Sequence, residues 1–235
     1  MALPKINTPK FSLNLPSNDE RLSFRPFLVK EEKALLMAAE SADELSMIDA
    51  VKDTIKACVT NPNFDISKTP YFDLEYIFLN IRAKSIGEII DLEYRHNDGI
   101  NYKGEECDHV TPIKINIEDV KVQKDSEHTN KVKLDDKLSL ELRYPNIDDI
   151  RPNENADETE ILARCIVSVF DDEDVHFPDS LQDSKDFIDS LNSKQFANIM
   201  KFIETMPKLR HKFKYKCAGC GQEDEVTLEG IADFF

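Results

Sequence analysis

The sequence lacks the features that would place it in a membrane or in an oxidising compartment. Its longest apolar run, residues 162–170, is interrupted by Arg164 and Ser168, so no run approaches the ~20 apolar residues of a spanning helix. The N-terminus, MALPKINTPK, lacks the apolar core and small-residue cleavage site of a secretory signal. The five cysteines are an odd number and only two are closely spaced, which argues against a disulfide framework. These absences predict a protein of a reducing cytoplasm, with no membrane partner.

The chain also has comparatively little positive charge. Its 235 residues include 30 Lys and Arg against 46 Asp and Glu, for a formal net charge of -16 at pH 7. A protein this negative repels phosphate unless a concentrated basic patch overrides the field, so polyanion binding is disfavoured as the main activity. The excess is local, because residues 145–190 hold 14 acidic and 3 basic residues, a net of -11.

The order of hydrophobic patterns predicts an α+β fold. Alternation of apolar and polar residues within 10–29 favours an N-terminal β-hairpin with one buried face. Three stretches with helical spacing follow it. The second has Ser41 and Glu44 spaced as a capping box, and the third runs from Thr69 to Gly87.

The rest of the chain is predicted to form strands, then helices, then strands again. Residues 88–142 contain strand-like segments separated by turn signals, which we interpret as an inserted antiparallel β module. The apolar stripe over 161–170 predicts one helix, and residues 193–206 predict a last one. The predicted organisation is an N-terminal hairpin plus three helices (1–87), the antiparallel β module (88–144), an acidic helical region (145–207) and a C-terminal β-hairpin with a CxxC turn (208–235), which forms one compact unit with 1–87.

The only motif with a recognised spacing is Cys217-x-x-Cys220, on the turn of the predicted C-terminal hairpin. Two thiolates on such a turn converge on one tetrahedral metal ion, and a zinc ribbon needs two further ligands. Candidates for these are Cys107 and His109 at a turn of the β module, and otherwise His96 or His211. The half signature favours the simpler interpretation, that Cys217 and Cys220 are free thiols on a tight turn and that no cofactor is bound, with a bound zinc as the alternative. A thioredoxin-like redox role is disfavoured, because that motif opens a helix and this one lies between strands.

No pattern in the sequence indicates a catalytic site. A P-loop, a dinucleotide fingerprint, GxSxG and HExxH are all absent. Cys58 and Cys165 lie on apolar helical stripes, where cysteine packs as a small core residue. The acidic run from Asp171 to Asp174 lacks the alternating ligands and turn glycine of an EF-hand loop. We therefore predict a protein that is not an enzyme.

One basic stretch has the pattern of a strand that binds nucleic acid. Residues 208–216 alternate five basic side chains with apolar and aromatic ones. The return strand, however, supplies Glu223, Asp224 and Glu225 as cross-strand partners, so neutralisation within the hairpin explains the pattern more simply. Nucleic acid is therefore disfavoured as a partner.

Five segments together resemble a known family. They are, in chain order, ALPKINTPKFSLNLPS, FRPFLVKEEKALLMAAES, FDLEYIFLNIRAKSIGEII, LRYPN and LEGIADFF. In this order they resemble the baseplate hub assembly protein family of T4-like contractile-tailed bacteriophages, over nearly the whole chain. The most specific parts are residues 25–33, 82–88 and 228–235.

The resemblance implies a viral protein made in the cytoplasm of the infected bacterium, where it serves as a chaperone or component for building the central hub of the tail baseplate. Its partners would be other phage baseplate hub proteins, and the resemblance implies no catalytic residues. Two alternatives stay open: a permanent structural subunit of the virion baseplate, and a zinc-ribbon regulator that binds nucleic acid. For the partner surface we expect the acidic segment and the chain end, namely Asp171, Asp172, Glu173, Asp174, Phe234 and Phe235. The alternative for the acidic residues is solubility alone.

Overall fold

A computed structural model describes residues 7–41, 43–96, 99–150, 158–171 and 173–231 of the chain. Over these residues the fold is mixed α+β, as the sequence predicts. The helices are α1 (Val29–Ser41), α2 (Glu44–Cys58), α3 (Tyr71–Ile86), α4 (Glu158–Cys165), α5 (Leu181–Asp189) and α6 (Ser193–Thr205). The strands are β1 (Phe11–Asn14), β2 (Arg21–Phe24), β3 (Ile89–Tyr94), β4 (Thr111–Asn116), β5 (Lys121–Gln123), β6 (Lys131–Lys133), β7 (Ser139–Leu142), β8 (Ile166–Phe170), β9 (Val175–His176), β10 (Lys208–Lys216) and β11 (Glu223–Glu229). None of the described helices is both long and apolar enough to cross a membrane.

The N-terminal hairpin packs on the first three helices. β1 and β2 pair antiparallel with Leu13 opposite Leu22, which puts the apolar side chains of both strands on one face, as predicted. This face meets α1, α2 and α3 in a first hydrophobic core. The buried members of the first core are Leu13, Leu15, Leu22, Phe24, Leu35, Val51, Ile55, Cys58, Ile66, Leu74, Ile77, Phe78, Ile81 and Ile147.

The start of α2 differs from the prediction. The N-cap is Asp43, whose carboxylate accepts the backbone N–H of Ser46 at 3.0 Å. The predicted capping box of Ser41 and Glu44 does not form, because Ser41 still belongs to α1. Its hydroxyl donates to the carbonyl of Ala38 at 2.7 Å and is therefore engaged with the preceding turn.

Helix α3 lies at the centre of the fold and is buried on two sides. Pro70 precedes it, and Gly87, at φ 117°, ends it, which confirms the boundaries predicted from the sequence. A helix that is apolar on more than one face must be covered on each of them. One face of α3 joins the first core, and another, with Leu79 and Ala83, joins a second core.

The second core lies between α3 and two small sheets. β3 pairs with β4, and β10 pairs with both β11 and β5, all antiparallel. The buried members of the second core are Leu79, Ala83, Ile90, Ile115, Ile117, Val120, Leu209 and Leu228. The C-terminal hairpin therefore packs on α3, and the connection between β3 and β4 lies next to its turn.

A third core lies between a four-stranded sheet and helices α4 to α6. The strand order is β6-β7-β8-β9, so β7 of segment 88–144 pairs with β8 of segment 145–207. The antiparallel strands predicted in 88–144 are thus divided among three sheets. The buried members of the third core are Val132, Leu134, Leu140, Leu142, Leu162, Ala163, Cys165, Ile166, Ile188, Ile199 and Phe202.

The prediction of one helix over 161–170 is wrong in its second half. α4 ends at Cys165, and the chain continues directly into β8, where Leu140 of β7 faces Val169. The segment IVSVF is rich in β-branched residues, which favour a strand when a partner edge is available. The partner edge is more than 20 residues away in sequence, and the helical spacing of the apolar residues does not reveal it.

Candidate metal centre

Two connections from different sheets meet beside the second core. Residues 95–110 link β3 to β4 and carry His96 and Cys107, whereas residues 217–222 link β10 to β11 and carry Cys217 and Cys220. One ligand atom from each of these four side chains lies within 4.8 Å of all the others. The set is one imidazole and three thiols, which is a donor set typical of tetrahedral zinc.

The spacing of the donor atoms fits one central ion. Cys107 Sγ and Cys217 Sγ are 3.8 Å apart, and His96 Nε2 is 3.2 Å from Cys220 Sγ. Two sulfurs bound to one tetrahedral zinc are about 3.8 Å apart, and a sulfur and a nitrogen are about 3.6 Å apart. The two sulfurs are too distant for a disulfide, whose S–S bond is about 2.05 Å, and all five cysteines are free.

Backbone N–H groups on the CxxC turn point at its first sulfur. The N–H groups of Cys220 and Gly219 donate to Cys217 Sγ, and these bonds lower the pKa of the Cys217 thiol to about 6. Gly221, at φ 75°, lets the turn close so that its N–H donates to the Cys217 carbonyl at 2.9 Å. A Cβ at Gly219 would come within 2.6 Å of the His109 Cβ, so the close approach of the two connections also requires glycine there.

His96 is oriented by a carboxylate on β11, a strand of the other sheet. Its side chain is only 3% exposed; Nε2 faces the sulfurs, and Nδ1 lies 3.3 Å from Asp224 Oδ2. The other oxygen of Asp224 accepts a hydrogen bond from Gln222 Nε2 at 2.6 Å. Gln222 Oε1 in turn accepts the backbone N–H of Tyr102 at 2.8 Å. The two connections are therefore joined by hydrogen bonds as well as by the four donor atoms.

Three of the four predicted metal ligands come together, and one does not. Cys107, Cys217 and Cys220 belong to the cluster, whereas the fourth position is filled by His96 in place of His109. His109 contributes its backbone N–H to Cys107 Sγ, and its side chain lies against Gly219. The sequence offered His96 only as an alternative, because the long connection from His96 to Cys107 has no spacing typical of a metal site. The role of Asp224 has no signal in the sequence.

The predicted partner surface is described only in part. Asp172, Phe234 and Phe235 lie outside the described residues. Asp171 organises its own turn: its carboxylate accepts the N–H groups of Glu173 and Asp174 and contacts His176 at 2.8 Å, and these contacts lower its pKa to about 2. Glu173 and Asp174 are exposed.

Part of the negative charge of residues 145–190 is neutralised by ion pairs within the fold. Asp149 accepts two hydrogen bonds from Arg143, and Glu160 pairs with both Arg164 and Lys185. The exposed acidic side chains among the described residues of this segment lie mostly at its C-terminal side. At its N-terminal side Asp148 is exposed, and at its C-terminal side the exposed residues are Asp171, Glu173, Asp174, Asp179, Asp183, Asp186 and Asp189.

An apolar cavity opens in this part of the fold, and one of these acidic residues, Asp183, lines it. It has a volume of about 370 Å³ and lies between the sheet and the start of α5. Phe177 at its rim is 69% exposed, and Val175 in the adjoining strand is 47% exposed. The residues that line the cavity are Leu138, Ile166, Val169, His176, Phe177, Pro178, Asp183, Ser184 and Phe187. A single exposed apolar residue needs no explanation, but an exposed phenylalanine beside an apolar cavity is a typical binding feature.

The basic strand β10 faces acidic partners, as the sequence predicts. Lys214 lies opposite Glu225 and Lys216 opposite Glu223 in the register with β11. At the other end of the hairpin, Arg210 Nη2 lies 2.5 Å from a carboxylate oxygen of Glu229. The hairpin therefore neutralises much of its own positive charge.

A sequence model of the family described as T4 bacteriophage base plate protein matches residues 8–235. The chain therefore belongs to this family, as the resemblance of its sequence predicts. The family points to the virion tail and to other baseplate proteins as partners. Comparison with curated proteins and with solved structures gives no match.

The three segments that carry the resemblance most specifically meet at α3. Phe27, in the first segment, donates its backbone N–H to Ser85 Oγ of the second at 2.9 Å. Ile231, in the third, donates its backbone N–H to the carboxyl group of Glu75 on α3.

Proposed function

We propose that this protein is a non-enzymatic assembly factor that binds other baseplate proteins while the central hub of the phage tail baseplate is built in the host cytoplasm. Membership of the T4 baseplate family supports a role in the baseplate. The resemblance of the sequence to hub assembly proteins supports the narrower role. The absence of any catalytic motif from the sequence supports a binding function.

The observation that carries the proposal is the apolar cavity beside Phe177 with its acidic rim. Phe177 is 69% exposed, and the cavity next to it is wide enough for an apolar side chain. Asp183 lines the cavity, and the exposed Glu173 and Asp174 lie in the turn between β8 and β9, two strands that also contribute lining residues. The occupant that matches this chemistry is a segment of another baseplate protein with one apolar anchor and flanking Lys or Arg side chains.

The test is capture of the tagged protein from infected cells, followed by mass spectrometry of what is retained. The wild-type protein is expected to retain baseplate proteins. Phe177→Ser removes the exposed ring, and its matched control is Met37→Ser, which removes an apolar side chain of 71% exposure on α1. The pair Glu173→Lys and Asp174→Lys is matched by Glu40→Lys and Glu93→Lys, which change exposed charges on α1 and β3.

We expect the Phe177 variant to retain at least about tenfold less of the baseplate partners than the wild-type protein does. The charge variant is expected to bind more slowly and with a weaker dependence on salt. Both control variants are expected to retain the wild-type amount. Equal capture by the Phe177 variant and the Met37 variant would exclude this surface, and capture of no baseplate protein by the wild type would exclude the function.

A further inference from the structure

We propose that His96, Cys107, Cys217 and Cys220 bind one Zn²⁺ ion that fixes the connection of residues 95–110 to the turn of residues 217–222. Nothing in the baseplate role requires a metal, so this inference is independent of the proposed function. It rests on the convergence of four donor atoms from two sheets within 4.8 Å.

The donor set selects the ion. Three thiols and one imidazole are soft and borderline donors, which suit zinc and exclude the oxygen-preferring Mg²⁺ and Ca²⁺. Four protein ligands also complete a tetrahedral shell and leave no open position for a substrate or water. The site is therefore structural. Each cysteine binds as a thiolate, so its thiol proton is released to solvent when the ion enters.

The surroundings of the donors are those of a metal site. Asp224 faces the outer nitrogen of His96, which fixes the ring with Nε2 toward the sulfurs. The N–H groups of Gly219 and Cys220 stabilise negative charge on Cys217 Sγ, and the N–H of His109 does so on Cys107 Sγ. Such contacts favour the thiolate form, which is the form of cysteine that binds a metal ion.

The connection from 95 to 110 also needs an external restraint. Most of its described residues are exposed, and Tyr102 at its outer end is 72% exposed. Among its described residues, the backbone-to-backbone hydrogen bonds that shape it are local: they include the isolated bridge between Ile100 and Glu106 and the backbone bond from the N–H of Cys107 to the carbonyl of Gly99 at 2.7 Å. A long connection with so little buried apolar surface is stabilised most effectively by a covalent or metal cross-link.

The first experiment measures the metal content of the wild-type protein. It is expressed with zinc in the medium, passed over a desalting column, and analysed for metal by mass spectrometry. We expect one zinc per chain. Replacement by Co²⁺ is expected to give the intense visible bands and sulfur-to-cobalt charge transfer of a tetrahedral thiolate site. Folded protein that binds neither ion, or a disulfide between Cys107 and Cys217, would overturn the proposal.

Two histidine variants test the ligand set. His96→Ala is expected to weaken zinc binding at least about tenfold in competition with a chelator. His109→Ala is the matched control, because His109 lies on the same connection and supplies only its backbone N–H; it is expected to bind zinc as the wild type does. Loss of binding in the His109 variant with retention in the His96 variant would overturn the assignment.

Hydrogen exchange of the wild type tests the role of the ion without any substitution. Removal of zinc by a chelator is expected to increase exchange within residues 99–110 and 217–222, while the first and third cores keep their protection. An increase spread equally over the whole chain, or no change in these two connections, would contradict a local structural role.

Discussion

Asp224 Oδ2 on β11 lies 3.3 Å from Nδ1 of His96, whose other ring nitrogen lies 3.2 Å from Cys220 Sγ. This relationship joins the two sheets on either side of the proposed zinc site. It also explains why a histidine at the end of β3, far from Cys107 in sequence, can serve as the fourth ligand. The carboxylate fixes both the tautomer and the direction of the ring.

The first prediction concerns this carboxylate. Asp224→Asn keeps the shape of the side chain but removes its charge, so we expect zinc affinity to fall about 10- to 100-fold while one ion still binds at saturation. Competition with a chelator of known affinity measures the change. Glu225→Gln, on the same strand and opposite Lys214, is the control and should leave the affinity unchanged. Equal affinities for the Asp224 variant and wild type would show that the contact does not orient the ligand.

The second prediction concerns the pH dependence of stability. Glu75 on α3 is 5% exposed, and burial raises the pKa of its carboxyl group to about 8, although the N–H of Ile231 opposes the rise. The folded protein therefore keeps a proton that the unfolded chain loses near its ordinary pKa of 4.5. The contribution of Glu75 to the free energy of unfolding is largest at acidic pH and declines as the pH rises toward about 8.

Glu75→Gln isolates this contribution, because glutamine cannot ionise. Relative to the variant, the wild type should lose stability between about pH 5 and pH 8, on the order of a few kcal/mol. Urea unfolding of both proteins across this range measures the difference. A difference that does not change with pH, or that grows in favour of the wild type, would contradict a protonated Glu75.

The third prediction concerns the contacts that hold the end of α4 in place. Arg143 donates to both oxygens of Asp149, at 2.5 and 2.9 Å, and to the carbonyl of Arg164 at 2.8 Å. Asp149 is buried, so loss of its partner leaves a desolvated charge. Arg143→Met is expected to reduce the free energy of unfolding by about 2–4 kcal/mol.

Lys114→Met is the matched control for this change. Lys114 pairs with Asp91 at 2.6 Å, but both side chains are 74% exposed, so the loss should be about 0.5 kcal/mol or less. Denaturant unfolding of the two variants gives the comparison. Similar losses in both would mean that the Arg143 contacts contribute no more than an exposed ion pair.

The fourth prediction distinguishes a strand from a helix at residues 166–170. Val167 is 38% exposed on β8, where a β-branched side chain favours the extended backbone. Val167→Ala should therefore reduce the free energy of unfolding by about 0.5–1 kcal/mol. If the segment continued the helix, the same change would raise stability by roughly 0.5 kcal/mol, because alanine is the better helix former. The sign of the change decides between the two.

Local patterns predict the elements that are determined by nearby residues. α3 is an example, because Pro70 and Gly87 mark both of its ends and its apolar residues lie between them. The C-terminal hairpin is another, since opposite charges on two adjacent strands specify the pairing of Lys214 with Glu225. Cys217 and Cys220, on the turn of this hairpin, are close in sequence, and their CxxC spacing identifies them as a pair of candidate ligands.

Contacts between distant segments account for the parts that the sequence does not reveal. Residues 166–170 form a strand because the edge of β7 is available, and a helical spacing of apolar residues is equally compatible with the isolated segment. His96 enters the cluster because β3 ends beside the turn of another sheet, whereas the spacing of Cys107 and His109 alone suggests a closer pair. Both outcomes depend on tertiary packing.

The copy number of the protein in assembly intermediates and in purified virions tests the proposed function most directly. Quantitative mass spectrometry of hub and baseplate intermediates from infected cells, compared with finished particles, gives both values. An assembly factor is expected to accompany baseplate proteins in the intermediates and to be strongly depleted from virions. A fixed, stoichiometric copy number that is the same in intermediates and virions would contradict it and would identify a permanent structural subunit.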